Sequence, residues 1–293
     1  MNIIITIPAY NEEKSIGKVI DDIKKIMSSK KYKILVVNDG SIDNTANIAK
    51  EHGAHVYSHQ KNQGLAQSFR TEIIESLKLN PDVIIHTDAD GQYLASDIPK
   101  LLNEIERGYD LVLGSRFKGK IESMPLIKRI GNKLFSKTIS HITNLRISDA
   151  QTGFRAFKKE VAEKIKIIST YTYTQEQIIK AVKQNFKIKE VPVYFAKRDG
   201  HSKLIKNPFN YAVRVWINLF RIYRDYEPLK FFVSFGLIFF TIGFIIGLYL
   251  LYNLLSYGRI GHIPLTLLSG VLITMGIQII LFGFLADMYK EKQ

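Results

Sequence analysis

The sequence predicts an α/β fold, in which a mostly parallel sheet is covered on both faces by helices and is followed by two membrane-spanning helices. Short apolar runs alternate with helix-period segments over residues 1–110. Residues 231–258 and 260–286 contain no Asp, Glu, Lys or Arg, and each run exceeds the roughly 20 residues that span a bilayer. The 293 residues carry a formal net charge of +14, which favours anionic partners. These observations argue against a disordered chain and against a many-pass transporter.

The predicted elements of the sheet follow one another in a regular order. Apolar residues recur with a 3.6-residue period in residues 16–26, 65–77 and 98–105, which predicts helices there. Sheets of this kind bind ligands beyond the carboxyl ends of their strands. Functional residues are therefore expected directly after each strand. The strands are predicted at residues 3–7, 33–37, 54–57, 83–87 and 111–113.

Residues 116–145 form a basic segment with helical periodicity. Ile127, Ile130 and Leu134 recur at helical spacing among lysines and arginines, and Glu122 is the single acidic residue. One interpretation is an interfacial helix that lies at a membrane surface. The other is a helix packed on the sheet with a solvated basic face. The long apolar runs downstream favour the membrane surface.

Residues 206–228 form a second amphipathic segment, which leads directly into the first long apolar run. Aromatic residues are interleaved there with Arg214, Arg221 and Arg224, which again predicts an interfacial helix. Basic and aromatic residues together also occur in nucleic-acid-binding proteins. The catalytic features below explain the chain better, so no nucleic-acid partner is predicted.

Residues 229–293 are predicted to form a transmembrane hairpin, because only about residues 256–262 connect the two apolar runs. The connection carries Arg259, whereas basic residues flank the outer ends of both runs. The positive-inside rule then places residues 1–229 on the cytoplasmic side of a multi-pass membrane protein. The flanking residues are Arg221, Arg224 and Lys230 before the hairpin, and Lys290 and Lys292 after it.

The strongest local motif directly follows the predicted strand at residues 83–87. Asp88 and Asp90 are two residues apart and Gln92 follows, so that two carboxylates and an amide oxygen are able to converge on one hard cation. The alternative is a turn in which Asp and Gly satisfy the backbone. Cysteine is absent, which excludes a thiolate nucleophile and a Cys-ligated metal.

The other predicted strands end in blocks that extend this pattern. In their order and spacing, the blocks resemble the inverting family 2 glycosyltransferases of GT-A fold, and within that family the dolichol-phosphate mannose synthases and related polyprenyl-phosphate glycosyltransferases. The resemblance covers about residues 3–205, which would form the catalytic domain. The blocks are Pro8-Ala9-Tyr10-Asn11-Glu12, Asn38-Asp39-Gly40, Gly114-Ser115-Arg116, Asp149-Ala150-Gln151-Thr152-Gly153-Phe154-Arg155 and Arg198-Asp199-Gly200-His201-Ser202-Lys203.

The resemblance implies a role for individual residues on the donor side. For Glu12 and Asp39 the competing interpretation is helix capping and turn formation. The donor nucleotide is expected at Pro8, Tyr10, Glu12, Asp39, Asp88 and Ala89. A Mg²⁺ or Mn²⁺ ion is expected at Asp88, Asp90 and Gln92, and a loop over the diphosphate at Arg198, Ser202 and Lys203.

On the acceptor side, the resemblance implies basic residues that receive a lipid phosphate. For Glu176 a structural role competes with a role at the sugar. The acceptor phosphate is expected at Arg116, Arg129, Lys133 and Ser136, and the sugar at Asp149, Gln151 and Glu176. The residues expected to act most directly in catalysis are Asp90, Arg116, Arg198 and Lys203.

The implied reaction transfers a sugar, with inversion, from a nucleotide sugar to a polyprenyl or dolichyl phosphate at the bilayer. GDP-mannose is the favoured donor, with UDP-glucose or UDP-N-acetylglucosamine as the alternative. A polysaccharide acceptor is disfavoured because a Gln-x-x-Arg-Trp motif is not found. A non-catalytic sugar-nucleotide or lipid-binding scaffold is the remaining alternative. The sequence makes no prediction of oligomeric state.

Overall fold

The computed structural model describes residues 1–168, 173–197, 208–259 and 262–290. The chain divides into two compact units, Met1–Ala212 and Val213–Gln293. The first unit is built on one sheet of seven strands. The strands are β1 (Ile3–Ala9), β2 (Tyr32–Asn38), β3 (His55–Ser58), β4 (Val83–His86), β5 (Leu111–Ile121), β6 (Arg155–Lys158) and β7 (Ile188–Phe195).

The sheet has the order β3-β2-β1-β4-β6-β5-β7. β1 pairs in parallel with β2 and β4, β2 pairs in parallel with β3, and β5 pairs in parallel with β7. β6 is antiparallel to both of its neighbours, β4 and β5. All described strands except β6 therefore point the same way, which confirms the predicted mostly parallel sheet.

The helices that cover the sheet begin close to where the periodicity predicted them. α1 turns Ile16, Ile20 and Ile23 inward, at the 3.6-residue spacing that an amphipathic helix needs to bury one face. Strand β1 is buried along its whole length, as expected for a strand covered on both sides. The helices are α1 (Ile16–Met27), α2 (Thr45–Glu51), α3 (Leu65–Lys78), α4 (Ile98–Glu106), α5 (Leu126–Thr143), α6 (Lys159–Lys164), α7 (Tyr173–Lys183), α8 (Pro208–Tyr226), α9 (Pro228–Tyr257) and α10 (Ile263–Lys290), and a 3₁₀ turn at Ala95–Asp97 precedes α4.

Strand β5 differs from the prediction because it continues to Ile121. The basic segment therefore begins as a strand, and its helical part starts only at Leu126. The pairing of β5 with β7 shifts register between Ser115 and Lys120. Gly119 lies in this irregular stretch, where a Cβ atom would overlap the carbonyl oxygen of Val193. The absence of a side chain thus allows the two backbones to stay paired past the bulge.

The second unit contains the two long apolar helices. The segments Pro228–Tyr257 and Ile263–Tyr289 are long and apolar enough to cross a membrane. They pack through small residues, since a Cβ atom at Gly276 would lie 2.7 Å from the carbonyl oxygen of Gly236. The hydroxyl of Ser269 donates a 2.8 Å hydrogen bond to the carbonyl of Gly243. Close backbone approach of this kind is how helices associate without a hydrophobic driving force.

Candidate active site

The predicted site residues follow parallel strands, so the sheet brings several of them to one edge. Pro8 is the second-to-last residue of β1, Asp39 follows β2, Asp88 follows β4, and Arg116 lies on β5. The amide of Asp39 donates a 2.8 Å hydrogen bond to the carbonyl of Ala9, which joins the ends of β1 and β2. This edge is where a parallel sheet binds its ligand.

The acidic motif forms a tight turn beyond β4. The amide of Gln92 donates to Oδ1 of Asp90 at 3.1 Å, and Gly91 takes a φ of 73°, which glycine adopts without a steric penalty. Burial, followed by the charge of Asp90, raises the pKa of Asp88 to about 6. A carboxyl group whose ionisation is disfavoured by burial and by a neighbouring carboxylate is stabilised in its charged form by a bound cation.

The side chain of Gln92 is held with its amide nitrogen turned away from the acids. Nε2 donates a 3.0 Å hydrogen bond to the carbonyl of Ala196, just beyond β7. Because the amide nitrogen is used there, the carbonyl oxygen is the end left to act as a ligand.

The donor set fits a divalent cation that is shared with a diphosphate. Among the residues that the structure describes, no three His, Asp or Glu side chains form a metal cluster. Two carboxylates and one amide oxygen would therefore leave part of the coordination shell to the substrate and to water. Mg²⁺ is usually bound in this manner, through one or two carboxylates and substrate phosphates.

Asp88 is supported by Gly153, which the sequence did not single out for this role. A Cβ atom at Gly153 would lie 2.9 Å from Oδ1 and 3.1 Å from Oδ2 of Asp88. The segment is fixed from the other side by Tyr93, whose hydroxyl accepts a 3.3 Å hydrogen bond from the amide of Gly153 and lies 3.2 Å from Oγ1 of Thr152. Tyr93 also stacks on Phe154, with ring centroids 5.3 Å apart.

Arg116 and Asp149 form a buried ion pair rather than separate ligand contacts. Nε and Nη2 of Arg116 donate to the two carboxylate oxygens at 2.7 and 2.8 Å, and the Arg116 amide donates to Oδ2 at 3.0 Å. The guanidinium carbon lies 5.2 Å from the centre of the Phe195 ring. Asp149 is fully buried, so the structure assigns its carboxylate to orienting Arg116 and not to a sugar hydroxyl. The positive charge of Arg116 acts on Asp88, since it opposes the rise in that pKa.

The loops after β1 and β2 are bound to each other and form the predicted nucleoside side of the site. The amide of Asn11 donates to Oγ of Ser41 at 2.9 Å, and the amide of Glu12 donates to Oγ1 of Thr45 at 2.9 Å. Tyr10 is 41% exposed, and a ring this accessible is available to a planar base. Among the other predicted donor residues, Pro8 is buried at the strand end and the methyl group of Ala89 belongs to the hydrophobic core.

Asp39 has a structural role that accounts for its carboxylate. Oδ1 contacts Nδ1 of His59 at 2.7 Å and accepts from the amide of Gln63 at 2.9 Å, and Oδ2 accepts from the amide of Gly64 at 2.8 Å. The side chain is buried. Asp39 therefore holds the segment that leads into α3, and its expected contact with a base or ribose stays a prediction.

The predicted acceptor residues on α5 separate into buried and exposed groups. Ser136 is buried, and its hydroxyl donates to the carbonyl of Asn132 at 2.8 Å and accepts from the amide of Ala150 at 3.0 Å. That geometry does not fit a contact with a lipid phosphate. Arg129 and Lys133 are exposed, and Nζ of Lys133 lies 5.9 Å from the centre of the Phe117 ring.

Glu176 and Gln151, which were predicted to contact the sugar, also differ in how deeply they are buried. Glu176 is buried in the first turn of α7, where Oε1 accepts from the amide of Ile168 at 2.9 Å and lies 2.7 Å from Nζ of Lys180. This ion pair gives Glu176 a structural role, and its expected contact with a sugar stays a prediction. Gln151 is partly buried in the segment before β6. Arg198, Ser202 and Lys203 lie outside the described residues.

A buried polar row beneath the site also escaped the sequence prediction. Thr6 on β1 is in register with His86 on β4. Oγ1 of Thr6 lies 2.8 Å from Oε2 of Glu72, and Nδ1 of His86 lies 2.6 Å from the same oxygen. Nε2 of His86 is 2.8 Å from the hydroxyl of Tyr173. The row joins the end of β4, two residues before Asp88, to the first residue of α7. The sequence did contain one indication of this buried polar row, because His86 is a polar residue at the end of an apolar strand.

Comparisons with known proteins identify the family of the chain. A dolichyl-phosphate hexose transferase of Haloferax volcanii is 34% identical over 207 residues, which are 70% of this chain and 86% of the relative. A UDP-N-acetylglucosamine–dolichyl-phosphate N-acetylglucosaminyltransferase of Methanococcus voltae is 31% identical over 217 residues, which are 65% of this chain and 84% of the relative.

The solved structures share the fold at lower identity. Glucosyl-3-phosphoglycerate synthase of Mycobacterium tuberculosis, in complex with Mn²⁺, UDP and phosphoglyceric acid, superposes with a TM-score of 0.59 at 16% identity, over 74% of this chain and 78% of that chain. The model of the family "Glycosyl transferase family 2" matches residues 4–166. Since this match covers more than half of the chain, the protein belongs to the family 2 glycosyltransferases, as its resemblance in sequence predicted.

Proposed function

We propose that the protein transfers a hexose from a nucleotide sugar to a polyprenyl or dolichyl phosphate, with inversion at the anomeric carbon, to give a lipid-linked monophosphate sugar. The observation that carries the proposal is the Asp88, Asp90 and Gln92 turn at the carboxyl end of β4, where burial and mutual repulsion raise the pKa of Asp88 to about 6. The names of the two relatives supply the acceptor class, since both include dolichyl phosphate.

Asp88, Asp90 and Gln92 would hold a Mg²⁺ or Mn²⁺ ion. Such an ion would neutralise the charge that develops on the leaving nucleoside diphosphate. Tyr10 and Glu12 stand on the nucleoside side of this site, beside the ends of β1 and β2. Arg198, Ser202 and Lys203, which the resemblance places near the diphosphate, complete the proposed donor side.

The acceptor phosphate is proposed to approach from the side of Arg116 and α5. A phosphate monoester is already anionic near neutral pH, so a general base is not needed to make it a nucleophile. The task of the protein is then to hold two anions in line. Arg129 and Lys133 are exposed basic groups suited to the phosphate. Asp149 positions Arg116, whose charge reaches Asp88.

GDP-mannose is the proposed donor, supported by the resemblance of the sequence motifs to dolichol-phosphate mannose synthases. UDP-N-acetylglucosamine is the second candidate, because the Methanococcus voltae relative is named for that donor. UDP-glucose remains the third, because the same motifs serve it. The exposed ring of Tyr10 would face whichever base is bound.

The two apolar helices are proposed to anchor the enzyme as a membrane hairpin with the catalytic unit on the cytoplasmic side. Both are of spanning length, and the basic residues that flank them lie mainly at their outer ends, with Arg259 alone in the connection. The cysteine-free chain permits a direct test. In right-side-out vesicles, a single cysteine replacing Arg259 should react with an impermeant maleimide, and one replacing Lys50 should not. The reverse labelling would refute this orientation.

The transfer reaction is tested with membranes that contain the protein, a polyprenyl phosphate, Mn²⁺ and a panel of labelled sugar nucleotides. Label should pass into an organic-phase lipid, most rapidly from GDP-mannose. Asp90→Ala should abolish transfer because it removes a metal-binding carboxylate. Asp22→Ala is the matched control, since Asp22 is an exposed aspartate on α1, and it should behave as the unaltered enzyme.

Each outcome of this panel has a distinct meaning. Transfer from UDP-N-acetylglucosamine alone would replace the donor assignment but keep the acceptor. Binding of a sugar nucleotide without transfer from any donor would make the protein a scaffold and refute the proposal. Full activity in Asp90→Ala would refute the assigned metal site.

A further inference from the structure

A fully buried arginine, Arg155, lies two residues beyond Gly153 and has no carboxylate partner of its own among the described residues. It is the first residue of β6, and its side chain is inaccessible. Its hydrogen bonds to described residues all go to uncharged oxygens, and its Nε atom has no partner among them. Burying a charge in this way is expensive, so the position of Arg155 needs a structural or functional reason.

The guanidinium of Arg155 joins the segment before β6 to the start of α7. Nη2 donates to the carbonyl of Thr152. Nη1 donates to the carbonyl of Thr174 at 3.2 Å and to Oε1 of Gln177 at 2.8 Å, and both residues belong to α7. Thr152 directly precedes Gly153, which lies against the first carboxylate of the acidic motif. The fork therefore holds the backbone wall that limits where this carboxylate is able to point.

Tyr173, the first residue of α7, provides a second tie to the same carboxylate. Its hydroxyl lies 2.8 Å from Nε2 of His86, which ends β4 two residues before Asp88. The centre of its ring lies 5.5 Å from the guanidinium carbon of Arg155 and 4.2 Å from the centre of the stacked Phe69 ring. One side chain therefore contacts both the strand that leads to Asp88 and the arginine that holds the wall beside it.

The charge of Arg155 does not by itself explain this arrangement. Burial lowers the pKa of Arg155, and Asp149 and Asp88 are among the groups that oppose the change. Asp149 is already paired with Arg116. A cation near Asp88 favours its ionised form but also repels a metal ion, so the two electrostatic effects oppose each other. The geometry of the hydrogen bonds is the part that acts in one direction only.

We propose that Arg155 and Tyr173 are positioning residues for Asp88, and that together they fix its carboxylate in the direction from which it receives a divalent cation. Both are buried, so they act through Gly153 and His86 and not by touching the ion. This inference rests on the metal site of the proposed function and deepens it. A residue that only held α7 to the sheet would change the stability of the protein and not the metal affinity of the folded molecule.

The test measures binding of Mn²⁺ alone to the full-length protein in detergent, with electron paramagnetic resonance of the free ion as the readout. Tyr173→Phe removes the hydroxyl beside His86 and keeps the ring near Arg155. Arg155→Lys keeps the charge but replaces the planar fork by a single ammonium group. The Mn²⁺ dissociation constant should rise several-fold in Tyr173→Phe and about 10–100-fold in Arg155→Lys. Raising the Mn²⁺ concentration should restore transfer in both variants.

The matched control is Lys158→Met, because Lys158 lies at the other end of β6 and its Nζ atom is 2.8 Å from Oδ1 of Asp110. This variant should lower the melting temperature and leave Mn²⁺ binding unchanged. Unaltered Mn²⁺ binding in either Tyr173→Phe or Arg155→Lys would overturn the proposal, and so would an equal loss of binding in Lys158→Met. If Arg155→Lys does not fold, the result for Tyr173→Phe decides.

Asp90→Ala separates a failure of this inference from a failure of the proposed function. It should lose Mn²⁺ binding, because it removes a proposed ligand. If it bound Mn²⁺ like the unaltered protein, the metal assignment would fail, and this inference with it. Loss of binding in Asp90→Ala together with normal binding in Tyr173→Phe would overturn the positioning role alone.

Discussion

The contact between Gly153 and Asp88 provides a strict test of the site. In Gly153→Ala, the new methyl carbon would lie 2.9 Å from Oδ1 and 3.1 Å from Oδ2. An ordinary contact begins near 3.4 Å, so the carboxylate has to move by up to about 0.5 Å, which is at the limit of what a functional site tolerates. Gly153 does not adopt a positive φ, so alanine introduces no backbone strain there.

The expected consequence is a weaker metal site in a folded protein. Changing a group that orients a ligand costs about 10–100-fold in metal affinity. We therefore expect the Mn²⁺ concentration for half-maximal transfer to rise by about that factor in Gly153→Ala. The metal concentration for half-maximal transfer should rise more for Mg²⁺ than for Mn²⁺, because Mg²⁺ requires nearly ideal octahedral geometry. Direct Mn²⁺ binding in the presence of the nucleoside diphosphate, followed by electron paramagnetic resonance, measures the same change without turnover.

The matched control for this prediction is Gly114→Ala. Its methyl carbon would lie 2.8 Å from Cδ1 of Phe154 and 3.0 Å from Cγ1 of Val193, so it crowds apolar side chains and not the carboxylate. It should lower the melting temperature and leave the metal concentration for half-maximal transfer unchanged. If Gly153→Ala had normal metal dependence, or if both variants shifted it equally, Gly153 would not be a positioning residue for Asp88.

Three further variants test other parts of the structure. Asp149→Asn should destabilise the catalytic unit by roughly 3 kcal/mol, because it leaves Arg116 buried without its carboxylate; unfolding in denaturant measures this. Burial alone would raise the pKa of Asp110, but hydrogen bonds from Lys158 and the backbone of Lys187 outweigh it and lower that pKa below 3.8. Asp110→Asn should therefore lower the free energy of unfolding by about 1–2 kcal/mol at pH 7. The difference in unfolding free energy between the two proteins should disappear as the pH falls below the lowered pKa of Asp110. A difference that stays constant with pH would exclude this linkage. Gly276→Leu should lower the thermal stability of the apolar hairpin in detergent, whereas Gly270→Leu should not, because a Cβ atom at Gly270 meets nothing within 4 Å.

Among the described parallel strands, the sequence predicted β1 to β5 and missed β7, which is only partly buried. Strands β1 and β4 are buried along their whole lengths, so apart from Thr6 and His86 their residues form apolar runs that a pattern search detects. Strand β6 is different: its four residues, Arg155–Lys158, begin and end with a charge. Its place between β4 and β5 depends on pairing across the sheet, which periodicity does not report.

The same limit explains which site residues were assigned correctly to the edge of the sheet and which acquired other roles. Asp88 and Asp90 were identifiable because a two-residue spacing after a strand carries geometric information. The roles of Asp39 and Asp149 were inferred from the family resemblance, and the side chains that contact them lie 20 or more residues away in the sequence. His59 and Arg116 could not be recognised as those partners before the fold was known.

Burial separates the charged residues of the catalytic unit into two groups with different tasks. Arg116 and Asp149 are nearly inaccessible and satisfy each other, so replacing either one should change stability and the orientation of the other. Arg129 and Lys133 are exposed on a helix without acidic residues, so their charge is available to a phosphate or a lipid headgroup. The Arg116–Asp149 pair therefore adds nothing to the formal net charge of +14, whereas the four Lys and Arg residues of α5 contribute +4 of it. It follows that neutralising Lys133 should weaken acceptor binding with little loss of stability. Neutralising Arg116 should weaken acceptor binding and also lower the stability of the catalytic unit.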